Sequence, residues 1–133
     1  MYKRDSKVTD SEVQAKAKSA CERALKLQAA ALLPIRLDYW SKKKSIPYAS
    51  VSVKKMKSRW GSCDNRKNII LNIYLLQLDW ALIDYVILHE LSHTYHPHHQ
   101  KAFWEFMDTV LPDYKSKRKT LKSKPTDILQ TNF

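Results

Sequence analysis

No stretch limits this chain more than Trp80 to Trp104, where a largely apolar run leads into His89-Glu90-Leu91-Ser92-His93, with His99 six residues further on. Residues four apart share one helix face, so His89 and His93 can present two imidazoles to one metal ion, with Glu90 beside them. From Trp80 to His93 only Asp84 and Ser92 look outward apart from the site residues. A helix that is apolar nearly all round belongs at the centre of a fold. His89 and His93 continue the line of Leu82 and Val86, so their imidazoles face packed protein. The competing reading, two core histidines satisfied by hydrogen bonds, gives no reason for Glu90 on the same buried helix.

H-E-x-x-H is a pattern of metal-assisted hydrolysis. A catalytic zinc ion takes three protein ligands and keeps a fourth position open for water, whose pKa it lowers to about 7. The helix supplies two ligands. His99, reached after Pro97 has broken the helix, is the third ligand preferred here, with His98, His96 and Glu105 as alternatives. Glu90 is then left uncoordinated, able to take a proton from the attacking water and pass it to the leaving amine. Candidates to stabilise charge on the attacked carbonyl are Tyr95, His96, His98 and Arg59, and Asp108 is a candidate to orient a ligand imidazole.

With 133 residues, 44% of them hydrophobic, the chain is the size of one domain with a core of its own. A formal net charge of +11 favours contact with nucleic acid or another anionic partner, although lysine-rich faces also serve solubility. The single glycine, Gly61, excludes glycine-rich phosphate loops. Cys21 and Cys63 are far apart and in no C-x-x-C arrangement, which reads as two free thiols in a reducing compartment. No signal-type or membrane-spanning apolar run occurs, so a cytoplasmic location without membrane contact is expected.

Val13, Ala17, Ala20, Ala24, Leu27 and Ala31 recur at helical spacing, with Thr9, Asp10 or Ser11 as the cap and a face that packs on the domain. Pro34 either ends or kinks this helix or opens a second one, along which Leu33, Leu37 and Trp40 continue an apolar face to Lys42-Lys43-Lys44. The N-terminal helices thus occupy 11–45. Ala49, Val51 and Val53 alternate as a half-buried strand, continuing through Lys55 to Cys63; Asp64 to Asn68 has turn chemistry; and Ile69, Leu71 and Ile73 mark a second strand. The simplest pairing is an antiparallel hairpin, with a third strand not located. Leu75 to Leu78 reads as a connector and Asp79 as the cap of the central helix. Phe103, Phe106, Met107 and Val110 form the core stripe of another helix, and Asp113 to Lys124 a short basic helix ended by Pro125. The sheet and catalytic helices fill 46–124, and 125–133 is a tail, weakly held if at all.

Taken together, Lys57-Ser58-Arg59-Trp60-Gly61-Ser62-Cys63, Ile70-Leu71-Asn72, Asp84 to His93, His99, Phe103-Trp104 and Pro112-Asp113-Tyr114-Lys115 resemble, in order and spacing, the YgjP-like metallopeptidase family of the zincin class, a distant relation of SprT-type proteases. The resemblance runs from about Leu33 to Leu121. It implies a zincin-like α+β fold, a small antiparallel sheet against the H-E-x-x-H helix, with helices at both ends of the chain. It makes His89, His93 and His99 zinc ligands and Glu90 the catalytic base. Arg59, Trp60 and Gly61 would lie near the cleft in a structural or substrate-contacting role, and Tyr95 and His96 stay among the residues that could meet substrate or transition state. Gln100 follows His99 where similar sequences often carry a small hydroxyl residue, which affects a local cap but not the ligand. His96 stands where metzincins place glycine, so that class is not assigned.

The function expected is a zinc peptidase acting on peptide or protein, with nucleic acid as a further partner through the basic surface. Two other functions compete with it. One is metal-dependent hydrolysis of a nucleotide phosphoanhydride. The other is a non-catalytic basic nucleic-acid-binding module with a structural, four-ligand zinc.

Overall fold

A computed structural model describes residues 10–124, the side chains of 10–15, 17 and 18 excepted. The expected Thr9 cap, the Pro125 stop and the tail lie outside the described residues. The order is helix α1 (Asp10–Lys44), strands β1 (Ser50–Lys54), β2 (Gly61–Cys63) and β3 (Asn68–Asn72), a 3-10 turn at Ile73–Gln77, then helices α2 (Trp80–Ser92), α3 (Lys101–Val110) and α4 (Tyr114–Lys122). The α+β class is as expected.

The sheet differs from the expectation. It has three strands in the order β1-β3-β2 and is mixed: β1 runs parallel to β3 with Val51 opposite Ile69, whereas β2 runs antiparallel with Gly61 opposite Leu71. The expected hairpin is therefore only β2 and β3. What read as one long strand from Ala49 to Cys63 is two, separated by residues 55–60, which carry the chain to the far edge of β3. Buried Asn72 holds this crossover down. Its side-chain amide donates to the carbonyls of Met56 (3.1 Å) and Arg59 (2.8 Å), its backbone amide donates to the carbonyl of Trp60 (3.0 Å), and its Oδ1 accepts from the Tyr74 amide (3.0 Å). The turn from β2 to β3 is built on Asp64, whose Oδ1 accepts from the amides of Arg66 and Asn68, both at 2.9 Å.

The N-terminal segment is one helix rather than two, with Pro34 inside it. Its buried face was also misjudged. Ala20, Ala24, Leu27 and Ala31 lie exposed, Leu27 at 74%, while Ala29, Leu33 and Leu37 are fully buried and Leu25 and Trp40 pack against the core. At about 100° per residue Ala29 stands on the opposite side from Leu27. The alanine-rich stripe loses because large side chains gain more from leaving water. The helix ends with Ser45 in the left-handed region (φ 58°), and the Ile46 amide donates back to the Ser41 carbonyl at 2.9 Å.

Helix α2 is central, touching α1, α3, α4, β2 and β3. Asp79 caps it as expected, accepting from the Leu82 amide at 3.1 Å. Of its two expected outward residues, Ser92 is in fact fully buried, donating to the Leu88 carbonyl (2.7 Å), with Met107 Sδ 3.2 Å from the same hydroxyl oxygen. Asp84 is half-buried and engaged. Both its oxygens accept from the Arg36 guanidinium at 2.7 Å, and Oδ1 also accepts from Trp40 Nε1 at 2.9 Å, fastening α2 to α1. Replacing Asp84 by Asn removes the charge from this fork and puts an amide donor against the guanidinium. We expect a loss of about 2 kcal/mol, discounted for partial exposure and read as a fall in the urea midpoint. An unchanged midpoint would mean that the pair is merely a surface contact.

Candidate metal centre

Two turns of α2 and the loop after it converge on one point. His89 and His93 project from the same face of α2, and the chain breaks at Pro97 and returns His99 to them. The Nε2 atoms of His93 and His99 are 2.9 Å apart, those of His99 and His89 3.1 Å. Nitrogens bonded to one tetrahedral zinc ion at about 2.0–2.1 Å would be a little over 3 Å apart, so the donor set fits such an ion. Among the described residues this group has three members, each offering one ligand atom. His96, His98 and Glu105, the alternatives for the third position, do not join it.

The surroundings fix the rings. His93 Nδ1 donates to the carbonyl of His96 at 3.0 Å, which places the proton on Nδ1 and leaves Nε2 with the lone pair a metal needs. The group that orients this ring is thus a backbone carbonyl beyond the helix end. Asp108, the residue expected in such a role, is exposed on α3. Phe103 stacks on His93 (4.5 Å, 26°) and Trp104 on His99 (5.5 Å, 28°), while His89 is 1% exposed and edge-on to Phe103. Burial pushes His89 down to about 3 and His93 to about 4, and partial desolvation against its neighbours lowers His99, otherwise exposed, to about 4, so all three are neutral at pH 7. Neutral imidazole is the ligating form.

Those shifts link site to stability. In metal-free protein the unfolded histidines gain protons below about 6.5 while the folded ones resist until about 4, so the three together lose stability as pH falls through that window. Glu90, raised to about 7, acts in the opposite direction, since its contribution is lost as pH rises from about 4.5 through 7. Three groups outweigh one. The denaturant midpoint of the metal-free protein should therefore fall between pH 6.5 and pH 4.5, and a midpoint that holds or rises would contradict imidazoles held neutral by the fold.

Glu90 is 2% exposed, its Oε2 3.4 Å from His89 Nδ1. Burial raises its carboxyl to about 7, and the positive charge of Arg59 pulls the other way. Its room comes from Gly61. A Cβ at that position would lie 3.0 Å from Glu90 Cγ, 3.2 Å from the Ile70 carbonyl oxygen and 3.3 Å from Glu90 Oε2. The chain's single glycine thus lets β2 press against the glutamate. Neighbouring Cys63 is a free thiol pushed up to about 12, chiefly by burial, so it stays protonated beside the site.

The remaining candidates separate. Arg59 is exposed, close enough for its charge to reach Glu90, and its carbonyl is held by Asn72. Trp60 is fully buried and belongs to the core. Tyr95 turns its hydroxyl to the Ser45 carbonyl at 3.2 Å and its ring to Phe106, and the His96 ring also lies against Phe106. The structure therefore does not bring Tyr95 or the His96 ring to the three imidazoles. Sequence reasoning missed Arg118, whose guanidinium lies 4.9 Å from the Trp104 ring centroid and whose charge acts on His89 and His99. A signal was there: Arg118 falls in register with Tyr114 and Leu121, the two buried residues of α4.

Two histidines on a central helix and a third brought back by the next loop form a group that could hold a metal ion, with a buried glutamate beside it. The chain belongs to the YgjP-like metallopeptidase family: the model of that domain matches residues 2–124. It is a metallopeptidase, and peptide or protein is its substrate class. Two solved structures are similar in fold, the metallopeptidase zymogens abylysin of Pyrococcus abyssi (18% identity, TM-score 0.61, covering 69% of this chain and 93% of that one) and jannalysin of Methanocaldococcus jannaschii (21%, TM-score 0.53, 67% and 95%). None of the curated proteins matches the chain significantly. No helix among the described residues is long and apolar enough to cross a membrane.

Proposed function

We propose that the protein hydrolyses peptide bonds at a zinc ion held by Nε2 of His89, His93 and His99, with Glu90 as general base. The observation that carries this reading is the convergence of three neutral imidazoles, with Nε2 separations of 2.9 and 3.1 Å, directly beside a buried carboxyl. Zinc bound there would acidify a water and polarise the scissile carbonyl. The protein's own part is to hold and move the proton. A carboxyl raised to about 7 is poised near neutrality, so Glu90 can accept a proton from the attacking water and deliver it to the departing amine nitrogen. Phe103 stacks on the His93 ring and Trp104 on the His99 ring, which hold their planes, and the His96 carbonyl keeps His93 in the ligating tautomer.

Among the described residues the cluster has three members, which favours this reading over a closed structural site with four protein ligands. No particular feature favours a nucleotide substrate, and the basic surface alone does not assign a nucleic-acid partner.

The test is metal content and turnover together. Purified protein should carry about one zinc per chain. Chelation should abolish cleavage of an unstructured peptide and lower the melting temperature, with zinc restoring both. His99→Ala should lose metal and activity together. Full activity in metal-free protein, or hydrolysis of nucleoside triphosphates instead of peptides, would overturn the proposal.

A further inference from the structure

A cavity of about 880 Å³ opens between α3 and α4, on the side of the metal centre where Trp104 stands. We propose that Arg118 and the groove around it bind a carboxylate of the substrate, so that peptides with an acidic side chain or a free C-terminus near the cleaved bond are selected. This rests on the peptidase reading given above.

Trp104 ties the groove to the site. Its ring lines the cavity, stacks on His99 at 5.5 Å and lies nearly parallel to Tyr114 at 5.4 Å (18°). Arg118, one turn after Tyr114, holds its guanidinium 4.9 Å from the Trp104 ring centroid. A cation kept over an indole face is already oriented before a ligand arrives, and a guanidinium matches the two oxygens of a carboxylate. Arg118 Nε is buried with no hydrogen-bond partner, and among the described residues no carboxylate lies within ion-pair distance of this side chain. Lys101, Lys115, Lys119 and Lys122 add positive charge around the rim.

The ligand suited to this groove carries one anionic group rather than many. Glu105 and Asp108 line the α3 wall, where they would repel a polyanion such as nucleic acid, whereas a single carboxylate can meet Arg118 and leave the rest of the peptide against Trp104 and Tyr114. An acidic side chain and a C-terminal carboxylate offer the same chemistry, and the test distinguishes them.

Zinc-loaded Glu90→Gln protein would be titrated with one labelled neutral peptide in three forms: C-terminally amidated, amidated with a single Gln→Glu change, and with a free C-terminus. A charge-assisted contact predicts that at least one carboxylate form binds on the order of tenfold more tightly than the neutral amide, and the tighter of the two identifies the source. Arg118→Gln in the same background should bring the ratio close to one, and Arg118→Lys should restore part of it. Equal binding of all three forms, or a preference untouched by Arg118→Gln, would overturn the inference. Should Arg118→Gln fail to fold, Lys119→Glu with Lys122→Glu on the exposed rim should still reduce the ratio, and no reduction counts against the groove. A wild-type protein that binds with this preference yet cleaves none of the three would remove the proposed reaction and leave the binding site standing.

Discussion

Glu90→Gln protein is expected to retain its metal and to lose peptide hydrolysis by a factor of about a thousand, within the range general-base removal gives. Glutamine keeps the volume of the side chain, so the packing against Gly61 survives. The three histidines are unchanged, and metal content should match wild type. What disappears is an oxygen able to hold a proton at neutral pH. The measurement is kcat alongside zinc stoichiometry, because an inactive variant that had merely lost zinc would say nothing about Glu90. Turnover within tenfold of wild type at full occupancy would remove Glu90 from the role of base. Since Oε2 also lies 3.4 Å from His89 Nδ1, a small fall in metal affinity is expected beside the large fall in rate.

Gly61→Ala is the second large effect, and it acts through Glu90. The added methyl would meet Glu90 Cγ at 3.0 Å and, on its other side, the Ile70 carbonyl at 3.2 Å. The carbonyl belongs to the paired strand, where Ser62 opposes Ile70, and cannot retreat without disturbing the sheet. Glu90 must therefore give way, within a core that leaves it 2% exposed. We expect a loss of about 1–3 kcal/mol from overpacking. Displacement of the carboxyl should also lower kcat by roughly tenfold or more, with KM much less affected. Unchanged kcat in a destabilised protein would mean that the glutamate tolerates the shift, and that Gly61 serves only the sheet.

How much of this could be read from sequence follows from whether the signal was local. That His89, His93 and His99 come together beside Glu90 was readable because helix periodicity and one proline break fix their relation within a short span, and Asp79 as a cap needed only its neighbours. The crossover at residues 55–60 was not readable. Its anchor is Asn72, more than ten residues away, and Val51 and Val53 alternate in the same way whether their partner strand is parallel or antiparallel. The burial of α1 was misread because alanine suits either side of a helix, so the face had to be chosen by Leu25, Leu33, Leu37 and the sheet they meet. Pro34 invited a break that the packing on either side of it overrides. Arg118 was hidden among lysines, where charge reads as a solvated face unless its register with buried Tyr114 and Leu121 is followed.

The three histidines differ in how they are anchored, and this has a consequence for exchange of the ion. His89 is fixed at the bottom of the site, 1% exposed on a helix that touches most of the fold, while His99 stands exposed on the loop that returns from Pro97. In the proposed centre His89 is a seat and His99 a latch. Affinity would belong to all three rings, but the ring that an arriving ion or a chelator meets first from solvent is His99. His89, by contrast, is reached only past the other two rings.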